Sequence, residues 1–137
     1  MLATLDNVIH SHSKFLNKLQ NDTYSFDDLL QYLSDSFLKM SPAPESNMMA
    51  SFGHLGGGYD GRYYGYLWSK CIASDMFSTK FKGDICNQKI GLRYRQTILR
   101  PGGSLEPETL IKKFLGRKFK TKYLLHDLIE HNASNKN

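Results

Sequence analysis

A chain of 137 residues that is 40% hydrophobic and 12% aromatic has apolar payload for one modest globular unit and is too short for a large multidomain enzyme. That core-forming content also excludes disorder along its whole length. The net charge of +5 is uneven, because residues 80 to 122 hold twelve Lys and Arg against Asp84, Glu106 and Glu108. These cations fall on amphipathic segments without interleaved aromatics, so solvated helix surface is expected and no nucleic-acid partner.

Met1 to Asp6 lacks the charged start and long apolar stretch of a signal peptide, and no run approaches the roughly 18 apolar residues of a membrane span. The expectation is a cytoplasmic protein without a membrane partner. Leu2, Leu5, Val8, Ile9, His12, Phe15, Leu16 and Leu19 recur at helical spacing, predicting one amphipathic helix over the first twenty residues. Ser25, with Asp28 three residues on, reads as the N-cap of a second helix over about 26 to 39. Pro42 and Pro44 make the next segment a connector.

Phe52 to Gly61 is glycine-dense and reads as a loop with unusual backbone freedom. A central helix over 62 to 81 follows, apolar on more than one face and so expected to be buried on several sides. A fourth helix covers about 87 to 99 and stops at Pro101-Gly102-Gly103; a fifth follows Pro107 and stops at Gly116; a sixth runs from near Thr121 to His131. The polar tail, 132 to 137, is expected to be disordered. The fold class is therefore all-α, with about six helices.

Few residues carry an obvious chemistry. Gly56-Gly57-Gly58-Tyr59-Asp60-Gly61 formally satisfies the dinucleotide-binding GxGxxG, but no hydrophobic strand precedes it, as a βαβ unit requires. His126 and His131 are five apart, which on a helix separates them by about 140° and keeps both from one metal. His10 and His12 diverge similarly. Cys71 and Cys86 lack CxxC spacing and read as reduced thiols without a metal. His54, Tyr59, Tyr63, Tyr64 and Tyr66 remain. An imidazole and several phenols near a flexible loop are neutral donors able to hold a peptide carbonyl or steady an oxyanion, although aromatic stripes at helical spacing more often serve packing.

The run Phe52-Gly53-His54-Leu55-Gly56-Gly57-Gly58-Tyr59-Asp60-Gly61-Arg62-Tyr63-Tyr64-Gly65-Tyr66-Leu67-Trp68 closely resembles the glycine-rich loop and following helix of the thimet oligopeptidase and neurolysin family. The likeness continues, in the same order, through Asp75-Met76-Phe77, Gly91-Leu92-Arg93-Tyr94-Arg95, Ile98-Leu99-Arg100-Pro101-Gly102-Gly103-Ser104 and Phe114-Leu115-Gly116-Arg117, and covers roughly residues 2 to 125.

The family comprises mostly helical, two-lobed zinc endopeptidases that cut short peptides in a deep channel. The resemblance implies that residues 1 to 131 are the C-terminal part of such a catalytic domain, with substrate loop 52 to 61 and central helix 62 to 81. It implies zinc in the full-length enzyme, held by an upstream HExxH segment that this sequence lacks, so the chain alone is expected to bind none and to be inactive. His54, Tyr59, Tyr63 and Tyr66 match loop residues that bind the peptide backbone and stabilise the tetrahedral intermediate. By that resemblance Tyr66 is the oxyanion donor, His54 the positioning group and Tyr64 packing, while Gly56, Gly57 and Gly58 form a hinge that closes over substrate.

Several positions depart from the family: Gly56 replaces an alanine, Arg62 a neutral residue and Lys70 an acid, and one residue is missing near Gly83-Asp84. The implied partners are short peptides and the upstream zinc segment, and a mitochondrial address becomes the alternative for the full-length protein. A non-catalytic peptide-binding or interaction fragment of the same family is the competing expectation.

Overall fold

The computed structural model describes residues 1–11, 14–21, 23–43 and 45–134, the side chains of 130–134 excepted. Among the described residues every regular element is helical, and the chain divides into two compact units, Met1–Tyr66 and Leu67 onward.

In the first unit the helix expected over the first twenty residues is two helices, α1 (Leu2–His10) and α2 (Lys14–Gln20). α1 ends at Ser11, which is extended (φ −104°, ψ 150°) and whose hydroxyl donates to the Val8 carbonyl at 3.4 Å. His12 lies outside the described residues. α3 (Phe26–Leu38) starts where expected, on a capping box. Ser25 Oγ accepts from the Asp28 N–H at 3.1 Å, and the Asp28 carboxylate accepts from the Ser25 N–H at 2.8 Å. Leu5 of α1 packs against Leu29, Leu30 and Leu33 of α3 as the buried core of this unit. Of the connector, Pro44 lies outside the described residues; α4 (Met48–Ser51) then adds Met48 and Met49 to the edge of the core.

In the second unit Phe114 is fully buried with Met76 and Leu115. α5 (Gly65–Met76), which belongs to this unit from Leu67 on, continues as a π-helical turn, Phe77–Phe81, and α6 (Gln88–Tyr94) as another, Arg95–Leu99. α7 (Pro107–Leu115) has proline in its first turn and ends on Gly116, left-handed at φ 82°, as the sequence predicts. α8 (Lys122–Ser134) runs three residues beyond its expected end, and 135–137 of the expected tail lie outside the described residues.

The central helix is less buried than its sequence predicts. Only Cys71, Asp75 and Met76 of α5 are buried, whereas Leu67, Trp68 and, beyond it, Phe77 are about half exposed. An apolar groove of about 670 Å³ lies beside Ile72, Met76, Phe81, Ile98 and Leu110. The apolar faces of α5 therefore outnumber the partners these residues supply.

Asp75 anchors this unit. Its carboxylate is fully buried and accepts both Arg117 guanidinium nitrogens, at 2.6 and 2.7 Å, and the Lys120 N–H at 2.7 Å. Burial pushes the Asp75 carboxyl up, but the bonds from Arg117 and Lys120 outweigh it and hold the group below its ordinary range.

Candidate substrate-loop site

The glycine-dense segment folds into a chain of tight turns. Gly53–Leu55 is a single 3-10 turn carrying His54, and Gly58 (φ 90°) and Gly61 (φ 68°) take left-handed conformations that side-chain-bearing residues avoid. The Asp60 carboxylate closes the tip by accepting the Gly58 N–H at 3.1 Å.

Residues 62–64 form turns and not the first turn of the expected helix. Arg62 N–H donates to the Tyr59 carbonyl at 2.8 Å and Gly65 N–H to the Arg62 carbonyl at 2.9 Å, so α5 starts only at Gly65. These turns are held from 55 residues away, where the buried Asp6 carboxylate of α1 accepts the Gly61 N–H at 3.0 Å and the Tyr63 N–H at 2.8 Å. Amides at the approach to a helix lack intrahelical acceptors, and a carboxylate there satisfies them with favourable charge.

These turns bring the four sequence-predicted side chains into one cluster. Ring centroids of Tyr59, Tyr63 and Tyr66 lie 5.4, 5.5 and 6.1 Å from that of His54. Tyr59 stacks on Tyr66 at 5.4 Å, Tyr63 lies 5.0 Å from Tyr66, and Phe52 closes the back against His54 and Tyr63. Tyr66 Oη stands 3.4 Å from His54 Nε2. Tyr59, Tyr66 and His54 are exposed, while Tyr63 is half-buried.

The hydrogen bond with Tyr59, then a slight desolvation and the neighbouring Tyr59 and Tyr63 phenols, pushes the Tyr66 phenol above its ordinary value. Tyr66 is therefore a neutral hydrogen-bond donor throughout the physiological range. The arrangement presents phenol and imidazole groups from one face of a turn-rich loop, suited to carbonyls and to developing negative charge.

Tyr64 stands outside this cluster, as expected, but it is 56% exposed and not packed. Of the loop glycines, Gly57 has no room for a side chain, since a Cβ there would meet the Gly53 carbonyl oxygen at 2.5 Å. Gly56, at φ −126°, faces open space. Gly57→Ala is expected to disrupt the His54 turn and Gly56→Ala to leave it intact. The near-ultraviolet circular dichroism of the tyrosine cluster reads the difference, and equal spectra for both variants would contradict the geometry.

Asp6 and Asp75 are the residues that the sequence reading passed over. Each is an acid on the apolar stripe of its helix, Asp6 between Leu2 and Ile9 and Asp75 between Ile72 and Met76. Charge at such a position signals a buried partner.

Residues 1–129 match Peptidase family M3. The chain belongs to this family. Curated relatives agree: it is 37% identical over 117 residues to a thimet-like oligopeptidase of Dictyostelium discoideum, covering 85% of this chain and 16% of that protein. It is 34% identical over 113 residues to a human mitochondrial intermediate peptidase (82% and 15%), and 45% identical over 69 residues to saccharolysin of Saccharomyces cerevisiae (50% and 10%). The chain thus spans about a sixth or less of the length of these M3 relatives.

Zinc is the cofactor that the sequence resemblance implies for a complete M3 enzyme. Among the described residues no three His, Cys, Asp or Glu side chains are grouped as a ligand set, so the described residues do not fit the metal. The side chain of His131 lies outside the described residues. What the M3 segment offers is the His54 and tyrosine cluster.

Proposed function

We propose that this chain is the substrate-loop portion of an M3 zinc metallo-oligopeptidase that cleaves short peptides. The observation that carries the reading is the convergence of His54, Tyr59, Tyr63 and Tyr66 on one cluster of imidazole and phenol groups. In this role Tyr59 and Tyr63 hold carbonyls of the peptide backbone, and His54 positions the Tyr66 hydroxyl. Tyr66 donates to the carbonyl oxygen as it gains negative charge at the tetrahedral stage. Neutral donors suit this work, since they stabilise charge as it develops without holding a bulk anion in its place.

Gly56, Gly57 and Gly58 act as the flexible tip that closes over substrate. The partners are short peptides and the zinc-bearing segment of the longer enzyme. The address is the cytoplasm or, given relatives named mitochondrial intermediate peptidase, the mitochondrion. Among the described residues no helix is long and apolar enough to cross a membrane.

A chimera tests this reading. Residues 1–125 replace the matching segment of the Dictyostelium thimet-like oligopeptidase, and cleavage of a quenched fluorescent peptide is followed. Retained cleavage is expected; a folded chimera with its metal in place that fails to cleave would overturn the reading. The isolated 137-residue chain is expected neither to bind zinc stoichiometrically nor to cleave peptides. Tight one-to-one binding with turnover that survives repurification would contradict this.

A further inference from the structure

We infer that Asp6 is a positioning residue for the tyrosine cluster, acting as a remote clamp on the backbone that carries Tyr63 and leads into Tyr66. The inference rests on the role proposed above for Tyr66, and the geometry of Asp6 carries it further. Asp6 is only 1% exposed, and its carboxylate serves the loop as well as His10 of its own helix. Oδ1 accepts the Gly61 N–H at 3.0 Å and lies 2.9 Å from His10 Nδ1, while Oδ2 accepts the Tyr63 N–H at 2.8 Å.

His10 completes the clamp from the same face of α1. Its Nδ1 also lies 2.9 Å from the Asp6 carbonyl oxygen and 3.2 Å from the Gly61 nitrogen. The Gly61 N–H thus reaches both Oδ1 and His10 Nδ1, and Nδ1 reaches both the Asp6 carboxylate and its carbonyl oxygen, so the three groups form one network whose donor and acceptor roles follow the His10 tautomer. A Cβ on Gly61 would stand 3.7 Å from the His10 Cβ, so the left-handed loop backbone rides directly on this helix.

The consequence reaches the cluster through one ring. Tyr63, whose amide Asp6 holds, lies against Phe52, His54 and Tyr66 at centroid distances of 5.2, 5.5 and 5.0 Å. Two charge-assisted bonds, one from the Gly61 N–H and one from the Tyr63 N–H, both accepted by one buried carboxylate, fix this stretch in a loop whose glycines give it little stiffness of its own. Donors aimed at a transition state gain their effect from such preorganisation, and a side chain remote from the reacting atoms can set it.

The test uses Asp6→Asn, which keeps the size and one acceptor oxygen but turns the other into an NH2 that cannot accept an amide. In the 137-residue chain, amide hydrogen exchange is expected to show Gly61 and Tyr63 protected. In Asp6→Asn one of these two amides is expected to exchange about tenfold faster or more, with Leu29, Leu30 and Leu33 of α3 unchanged. In a peptidase carrying this segment, Asp6→Asn is expected to lower kcat about tenfold through Tyr66, with a smaller rise in KM through Tyr63. Combined with Tyr66→Phe it is expected to cost little kcat beyond Tyr66→Phe alone, because Asp6 acts on kcat through that hydroxyl.

Unprotected Gly61 and Tyr63 amides, protection lost evenly across the first unit, or kcat losses that simply add would overturn the clamp. A silent Tyr66→Phe would overturn the proposed function and the clamp's role together. A large Tyr66→Phe loss with a silent or additive Asp6→Asn would overturn the clamp alone.

Discussion

Tyr66→Phe, in a peptidase carrying this segment, is expected to lower kcat and kcat/KM together by about 10²-fold or more while KM barely moves. The substitution removes one hydroxyl and keeps the ring that stacks on Tyr59 and lies against Tyr63, so the cluster's packing survives. What is lost is a donor whose partner gains charge only as the reaction proceeds. Tyr64→Phe is the internal control: it deletes a hydroxyl two residues away on a half-exposed side chain and is expected to be nearly silent. Steady-state kinetics on one peptide decide it, and equal losses, or a Tyr66→Phe effect confined to KM, would contradict the assignment.

Arg117→Ala is expected to destabilise the second unit by about 3 kcal/mol at neutral pH, because it strands the fully buried Asp75 carboxylate with the Lys120 N–H as its remaining bond. The cost is set toward the low end for a buried pair because the Arg117 side chain is itself 31% exposed. The dependence on pH follows from the depressed Asp75 value. A carboxyl whose folded pKa lies below its ordinary 3.8 contributes stability above that value and loses it as pH falls through the folded one. In the variant burial acts with far less opposition, so the neutral carboxyl is favoured and acid helps instead. The gap between wild type and variant, read by urea unfolding, is therefore widest at neutral pH and narrows as pH falls through the variant's raised Asp75 value toward the wild type's depressed one. A gap that is constant with pH would contradict the ion-pair account.

Local rules that act within a few residues were legible in the sequence. The Ser25 capping box, Pro107 in the first turn of α7 and Gly116 at its end all stand where spacing put them, since each is decided by its own neighbours. The cluster of His54 with three tyrosines is legible residue by residue through the family resemblance more than through chemistry, because ring spacing alone cannot separate a site from a core. Distant partners were not legible. The turns before α5 are tied to Asp6 by two amides 55 and 57 positions away, and Leu67 and Trp68 stay half exposed because these residues do not cover them. The split of α1 from α2 was hidden by an apolar stripe that continues in register across Ser11, a residue whose hydroxyl competes for the backbone.

The claim on which the functional account turns is that the Tyr66 hydroxyl binds the transition state more tightly than the substrate. A phosphinic peptide, which mimics the tetrahedral stage, and the matching amide substrate distinguish the two states in one enzyme. Inhibition constants for the phosphinic peptide and KM for the substrate are measured in the peptidase carrying this segment, with and without Tyr66→Phe. The account predicts phosphinic affinity weakened by about 10²-fold with KM nearly unchanged. Weakening of both by the same factor, or of neither, would contradict it.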